Sequence, residues 1–137
     1  MYCDDIGLYK CSNNQRATFT PFSGGSIVNI GNVGGSPDGK YTTIQGDGGQ
    51  LICTMSATIP ANTNINIHTY GNTGDLYAYA KNSAGSYVQI GAWTLAGNNN
   101  YKTYTCSANF ACNTIIIVII TPTTIIIVIL NIDAVTT

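Results

Sequence analysis

Ile115-Ile116-Ile117-Val118-Ile119-Ile120 is followed by Thr121-Pro122-Thr123-Thr124 and then by Ile125-Ile126-Ile127-Val128-Ile129-Leu130. Each apolar run has the length of a strand. β-Branched side chains lose rotamer freedom in a helix and pack well on a pleated surface. Neither run is long enough to cross a bilayer as a helix, and Pro122 separates them. A strand in a two-layer sandwich shows one face to the core and the other to water, so it alternates apolar and polar residues. These runs do not alternate, so either both faces are covered or a greasy outer surface is tolerated. For a domain this small, a second copy of the chain is the expected cover. Ile116, Val118, Ile120, Ile126 and Val128 form the row expected to face it.

Upstream of these runs, helical periodicity is absent. Strand-like stretches recur with turn signals between them, at residues 17–20, 26–30, 41–45, 50–56, 64–69, 75–81, 87–93 and 102–106. The terminal runs add strands at 114–121 and 124–131. Gly46-Asp47-Gly48-Gly49, Gly71-Asn72-Thr73-Gly74, Asn82-Ser83-Ala84-Gly85 and Gly97-Asn98-Asn99-Asn100 read as turns, because Gly, Asn and Asp accept positive φ. This spacing predicts an all-β chain, a sandwich or barrel. The period-2 phase places Leu51, Cys53, Met55, Ala78, Ala80 and Ile90 in its core. Residues 1–137 read as a single domain, with 1–16 as an N-terminal extension or exchanged strand.

The chain has 137 residues, of which 8% are charged; it contains no Glu and carries a net charge of −1. That balance gives no electrostatic footprint for nucleic acid. Low charge with abundant Thr, Tyr and Asn suits an extracellular or cell-surface β-protein. The start Met1-Tyr2-Cys3-Asp4-Asp5 has no basic region and no apolar stretch behind it, so no signal peptide is expected here. Five cysteines fall into two close pairs and a single residue. Cys3 with Cys11, and Cys106 with Cys112, suit local disulfides in an oxidising compartment. Cys53 is in phase with Leu51 and Met55 and reads as a buried thiol acting as a small hydrophobe. A bridge from Cys3 or Cys11 to Cys53 stays open as the competing pairing.

Catalysis finds little support. His68 is the only histidine, and the carboxylates are Asp4, Asp5, Asp38, Asp47, Asp75 and Asp133. Asp38 and Asp47 lie in Gly-rich turns, where Asp commonly caps its own backbone. His68 shares a strand face with Asn66, opposite Ile65 and Ile67, and reads as a surface residue. No nucleophile motif accompanies it, and no phosphate-cradling glycine motif is present. The chain is therefore expected not to be an enzyme.

The aromatics carry more. In Leu76-Tyr77-Ala78-Tyr79-Ala80, the small apolar residues share one face and the tyrosines the other. Tyr77, Tyr79, Tyr87 and Trp93, with Tyr101 and Tyr104 beyond them, are candidates to stack on sugar rings. Cross-strand pairing or a subunit interface is the competing reading, and the frequency of Tyr on strands favours it.

Three segments together carry a resemblance. They are Gly35-Ser36-Pro37-Asp38-Gly39-Lys40-Tyr41-Thr42-Thr43-Ile44 with Gly48-Gly49-Gln50-Leu51-Ile52-Cys53, then Leu76-Tyr77-Ala78-Tyr79-Ala80 with Gly85-Ser86-Tyr87-Val88-Gln89-Ile90-Gly91, and finally Asn131-Ile132-Asp133-Ala134-Val135. In that order, over roughly residues 28–135, they resemble the galactose-binding-like β-sandwich of discoidin and carbohydrate-binding-module type. The resemblance implies an antiparallel β-sandwich of jelly-roll type. It also implies a structural calcium near the termini, with Asp133 as ligand and Asp4, Asp5 or Asp38 as helpers. A simple hydrogen-bonding role for Asp133 competes, and the lack of Glu and of a dense Asp/Asn cluster favours it.

Two functions follow. The first is a non-enzymatic structural module that self-assembles on the cell surface, as a fibril or pilus-like subunit, through its Ile strands. The alternative is a carbohydrate-binding module, calcium-stabilised in some versions, whose partners are glycans. Neither reading involves nucleic acid or a membrane span.

Overall fold

The computed structural model describes residues 11–16, 25–34, 38–120 and 129–137. Among these residues eight strands form: β1 (Cys11–Arg16), β2 (Ser26–Val28), β3 (Thr42–Gln45), β4 (Gln50–Ile59), β5 (Ile65–Lys81), β6 (Tyr87–Cys106), β7 (Cys112–Ile120) and β8 (Ile129–Thr136). One 3-10 turn, Ile30–Val33, lies between β2 and β3. Every pairing is antiparallel. This is the antiparallel β-sandwich expected from the sequence. Among the described residues no helix is long and apolar enough to cross a membrane.

β5 and β6 are long because each belongs to both layers. Residues 75–80 of β5 pair with β7, whereas residues 66–73 pair with β8. β6 follows β5 along its whole length as one hairpin. One layer, sheet I, runs β1-β4-β7, then the second half of β5 and the first half of β6. The other, sheet II, runs β2-β3-β8, then the first half of β5 and the second half of β6. Gly71-Asn72-Thr73-Gly74 and Gly97-Asn98-Asn99-Asn100, expected as turns between separate strands, do not reverse the chain. They are corners instead. The β5–β6 register slips between Tyr70 and Asn72 and again between Asn72 and Thr73, and Gly71 and Gly74 take φ of 63° and 98°. Strands that switch sheets bend through such bulges. The true reversal is at residues 82–86, where Asn82 Oδ1 accepts from the Ala84 and Ser86 amides at 3.0 and 2.9 Å.

The core lies between the layers. Sheet I gives it Leu51, Cys53, Met55, Leu76, Ala78, Ala80, Ile115, Ile117 and Ile119. Sheet II gives it Ile44, Ile65, Ile67, Leu130, Ile132 and Val135. The expected core residues hold this position, except that Ile90 is only half-buried. It sits where the register slips between Ala78 and Tyr79. A bulged residue has no direct partner across the ladder.

The first Ile run has both faces covered, as its pattern requires, but by the chain itself. Ile116 and Val118 are 1% and 0% exposed within one copy. In register, Tyr79 and Tyr77 flank them on one side and Ile52 and Gln50 on the other. No second copy is needed there, so Ile116 and Val118 offer no assembly surface; Ile120 at the strand end is half-buried. Ile126 and Val128 lie outside the described residues. The last described strand is β8, Ile129–Thr136, which runs past the expected end at 131; residues 124–128 lie outside the described residues.

Cysteines also differ from expectation. Cys106 and Cys112 are unbridged. Both pack against the core, as small hydrophobes do. Burial raises the Cys106 thiol to about 11, with Cys112 adding to the rise, and burial raises Cys112 as well. Cys53 is buried and unbridged. Cys3 lies outside the described residues, and of Cys11 only the backbone is described. Its strand pairs with β4 of the same chain, so 11–16 forms an edge strand of sheet I.

Candidate functional site

Alternation along the strands of sheet II sends Asn66, His68 and Tyr70 of β5 away from the core, since Ile65, Ile67 and Thr69 point inward. β6 adds Tyr101, Thr103 and Thr105, which pair in register with Tyr70, His68 and Asn66. β8 adds Asn131, opposite both Tyr70 and Thr43. These residues make one polar and aromatic sheet face. Tyr41, just before β3, lies in parallel stack with Tyr70, ring centroids 5.6 Å apart and planes 11° apart. Tyr70 is 36% exposed and Tyr101 47%.

The polar groups of this face hold one another. Thr43 donates to Asn131 Oδ1 at 2.6 Å, and Asn131 Nδ2 donates to the Gly71 carbonyl at 3.1 Å. Thr105 donates to Asn66 Oδ1 at 2.8 Å. His68 Nδ1 lies 3.1 Å from Thr103 Oγ1, and Nε2 lies 2.8 Å from Thr136 Oγ1. A neutral imidazole donates to one hydroxyl and accepts from the other. Burial lowers the His68 pKa, against an opposing pull from the charge of Asp133. The ring therefore favours its neutral form.

Asp133 sits beneath this face and is 1% exposed. Its Oδ1 accepts from the backbone amides of Asp38 and Gly39 at 3.0 and 3.1 Å. Its Oδ2 accepts from the Tyr101 hydroxyl and, at 3.3 Å, from the Gly39 amide. Half of Tyr101 is thus exposed while its hydroxyl reaches down to a buried carboxylate. Burial raises the Tyr101 phenol well above its ordinary value, helped by the hydrogen bond to Asp133 and by nearby negative charge. Tyr41 is raised too, by burial and then by the charge of Asp133.

This geometry does not fit calcium at Asp133. A calcium ion needs oxygen acceptors directed at it from several sides. Here N–H and O–H donors occupy both carboxylate oxygens. The Asp38 carboxylate turns back to the Lys40 amide at 2.9 Å, the self-capping expected of a turn Asp. Among the described residues no group of three His, Cys, Asp or Glu side chains comes together. Asp5 lies outside the described residues.

The sugar-stacking candidates from the sequence occupy the other layer. Tyr77 and Tyr79 point away from the core on sheet I, as expected, and are half-buried beside Val118 and Ile116. Burial raises the Tyr79 phenol, with Tyr77 adding to it. Tyr87 stands opposite Lys81, whose Nζ lies 6.0 Å from its ring centroid. Trp93 lines a cavity with Tyr77 but lies on the opposite side of its strand. It pairs with core-facing Leu76, and its ring packs over Gly91, where any Cβ would strike the indole. It also meets Tyr104, with centroids 5.5 Å apart. Trp93 therefore closes the open side of the sandwich between the two halves of β6.

Sequence reasoning missed Tyr41 and Tyr70, and it named Tyr101 only in passing. One local signal was present: Asn66-Ile67-His68-Thr69-Tyr70 alternates, which places Tyr70 with His68. Nothing local ties that row to Tyr41 or Asp133.

No family model and no curated protein matches the chain. Solved structures do. A mutant family 29 carbohydrate-binding module aligns with TM-score 0.56 and 14% identity over 96% of this chain and 82% of that one. Another, complexed with cellulohexaose, aligns with TM-score 0.57 and 15% identity over 94% and 80%. A further family 29 module aligns with TM-score 0.56 and 14% identity over 93% and 85%. At such identity the likeness is one of fold. The shared fold is the antiparallel β-sandwich, the fold that the sequence resemblance implied.

Proposed function

We propose that this chain is a non-enzymatic carbohydrate-binding module that lays a neutral oligosaccharide across the outer face of sheet II, outside the cell or at its surface. The observation that carries this reading is the grouping of partly exposed Tyr70 and Tyr101, with Tyr41 stacked on Tyr70, among Asn66, His68, Thr103 and Thr105 on one sheet face. Tyrosine rings offer flat apolar contact to the C–H faces of pyranoses, and amides and hydroxyls match sugar hydroxyls. Asp38 and Asp133 stand beside the exposed Lys40 and Lys102, so the region carries no net charge to favour an acidic sugar. The fold likeness to carbohydrate-binding modules supports the same reading. Titration calorimetry with cellohexaose, the oligosaccharide held by one of the similar structures, and with an uncharged and an acidic polysaccharide tests it. Binding to a neutral glycan, weakened by Tyr101→Ala, is the expected result. Binding unaffected by Tyr70→Ala and Tyr101→Ala together would place the ligand elsewhere.

A further inference from the structure

We infer that Asp133 is the positioning residue of this face: it holds the 38–40 loop and the Tyr101 ring in the arrangement that a glycan meets, without touching the glycan itself. The inference rests on the reading of sheet II as the binding face. Four hydrogen bonds converge on this one carboxylate. Three come from the Asp38 and Gly39 amides and one from the Tyr101 hydroxyl. The donors belong to segments distant in sequence from each other and from β8. Asp133 is 1% exposed, so a ligand on the surface does not reach it.

The consequences run through what it holds. Tyr101 is at the edge strand of sheet II, and the Asp133 tie fixes its ring from the hydroxyl end. A ring held at both ends loses little rotamer freedom on binding, whereas ordering a free side chain costs affinity. The loop tie acts on the other flank. Lys40 and Tyr41 follow directly on Gly39, so the loop amides set where β3 begins and where Tyr41 meets Tyr70. Hydrogen bonds to a buried charged acceptor are stronger than neutral ones, and leaving such donors unpaired is costly. One buried side chain thereby links the two ends of the aromatic row.

Nitrogen-labelled protein, amide hydrogen exchange and cellohexaose calorimetry test this together. In the unmodified chain the Asp38 and Gly39 amides exchange slowly although their loop is exposed. Asp133→Asn is expected to speed exchange at those two amides, leave the amides of Ile115, Ile117 and Ile119 protected, and weaken glycan binding about tenfold. Tyr101→Phe keeps the ring and the fold, removes only the hydroxyl tie, and is expected to weaken binding severalfold. It also serves if Asp133→Asn does not fold. Fast exchange of both amides in the unmodified chain overturns the inference. So does unchanged affinity in Asp133→Asn and Tyr101→Phe while the unmodified chain binds, and that result leaves the glycan-binding reading standing. An unmodified chain that binds no glycan overturns that reading, and this role with it.

Discussion

The two outer faces of the sandwich are built by the same strand and end up chemically opposite. β5 supplies Asn66, His68 and Tyr70 to sheet II and Tyr77 and Tyr79 to sheet I, by the same alternation on either side of the Gly71–Gly74 corner. On sheet I its neighbour is β7, with Ile116 and Val118. Both are buried, and the tyrosines beside them are half-buried. On sheet II its neighbours are β8 and the second half of β6. These bring Asn131, Asp133, Tyr101, Thr103 and Thr105. Aromatic residues on a strand therefore say little by themselves about binding. What lies on the adjoining strands decides whether a tyrosine packs against its own chain or stays available to a ligand.

The largest effect that would break this contrast concerns stability. Ile117 is in the core and Ile116 is on the outer face, yet both are at most 1% exposed. Ile117→Ala should cost roughly 2–5 kcal/mol, as buried Ile-to-Ala changes do. Ile116→Ala should fall in the same range, measured by chemical denaturation. An Ile116 that loses less than about 0.5 kcal/mol would behave as an ordinary surface residue. The sheet I face would then be open after all. Sedimentation of the unmodified chain should show a monomer. Self-association abolished by Ile116→Thr would restore the assembly reading.

The next effect separates the faces by ligand. Tyr70→Ala and Tyr101→Ala should each weaken neutral-glycan binding about tenfold, corresponding to roughly 1.4 kcal/mol, with a small loss of stability. Tyr77→Ala and Tyr79→Ala should do the reverse. They should lower the denaturation midpoint and leave glycan affinity within about twofold, the scatter expected of a residue outside the contact. If the sheet I tyrosines reduce binding and the sheet II tyrosines do not, the ligand sits on the face that the sequence pointed to first.

How far the sequence could foresee this is visible in particular residues. The inward phase of Leu51, Cys53, Met55, Ala78 and Ala80 was legible because alternation is a local property of the strand. The double covering of the first Ile run was legible for the same reason. What covered it was not, because the flanking Tyr77, Tyr79 and Ile52 are brought there by register between distant strands. The corners misled, since Gly and Asn suit a reversal and a bend equally well. The side that Trp93 takes was not legible, because it depends on which face of edge strand β6 meets the core. Asp133 was singled out by a family motif. Its actual partners, the amides of Asp38 and Gly39, could not be read from side-chain identities at all.

The smallest effect is in the pH dependence of sheet II, and it follows from His68. Its pKa in the folded chain lies below the ordinary 6.5, chiefly through burial, while the unfolded chain has the ordinary value. Above 6.5 both states hold the neutral ring, so the contribution to stability is whole. As the pH falls through 6.5, the unfolded state takes up a proton first. Stability therefore declines with falling pH until the folded value is passed, and then levels off. His68 is the only histidine in the chain, so a histidine slope in this window belongs to it. His68→Gln should flatten the slope between about pH 7 and pH 5, where unperturbed and modestly shifted histidines titrate. Denaturation midpoints across that range measure it. The lowering itself arises from burial on the sheet II face. A slope of opposite sign, stability rising as the pH falls through 6.5, would mean that the charge of Asp133 outweighs burial and that His68 is held there as a cation.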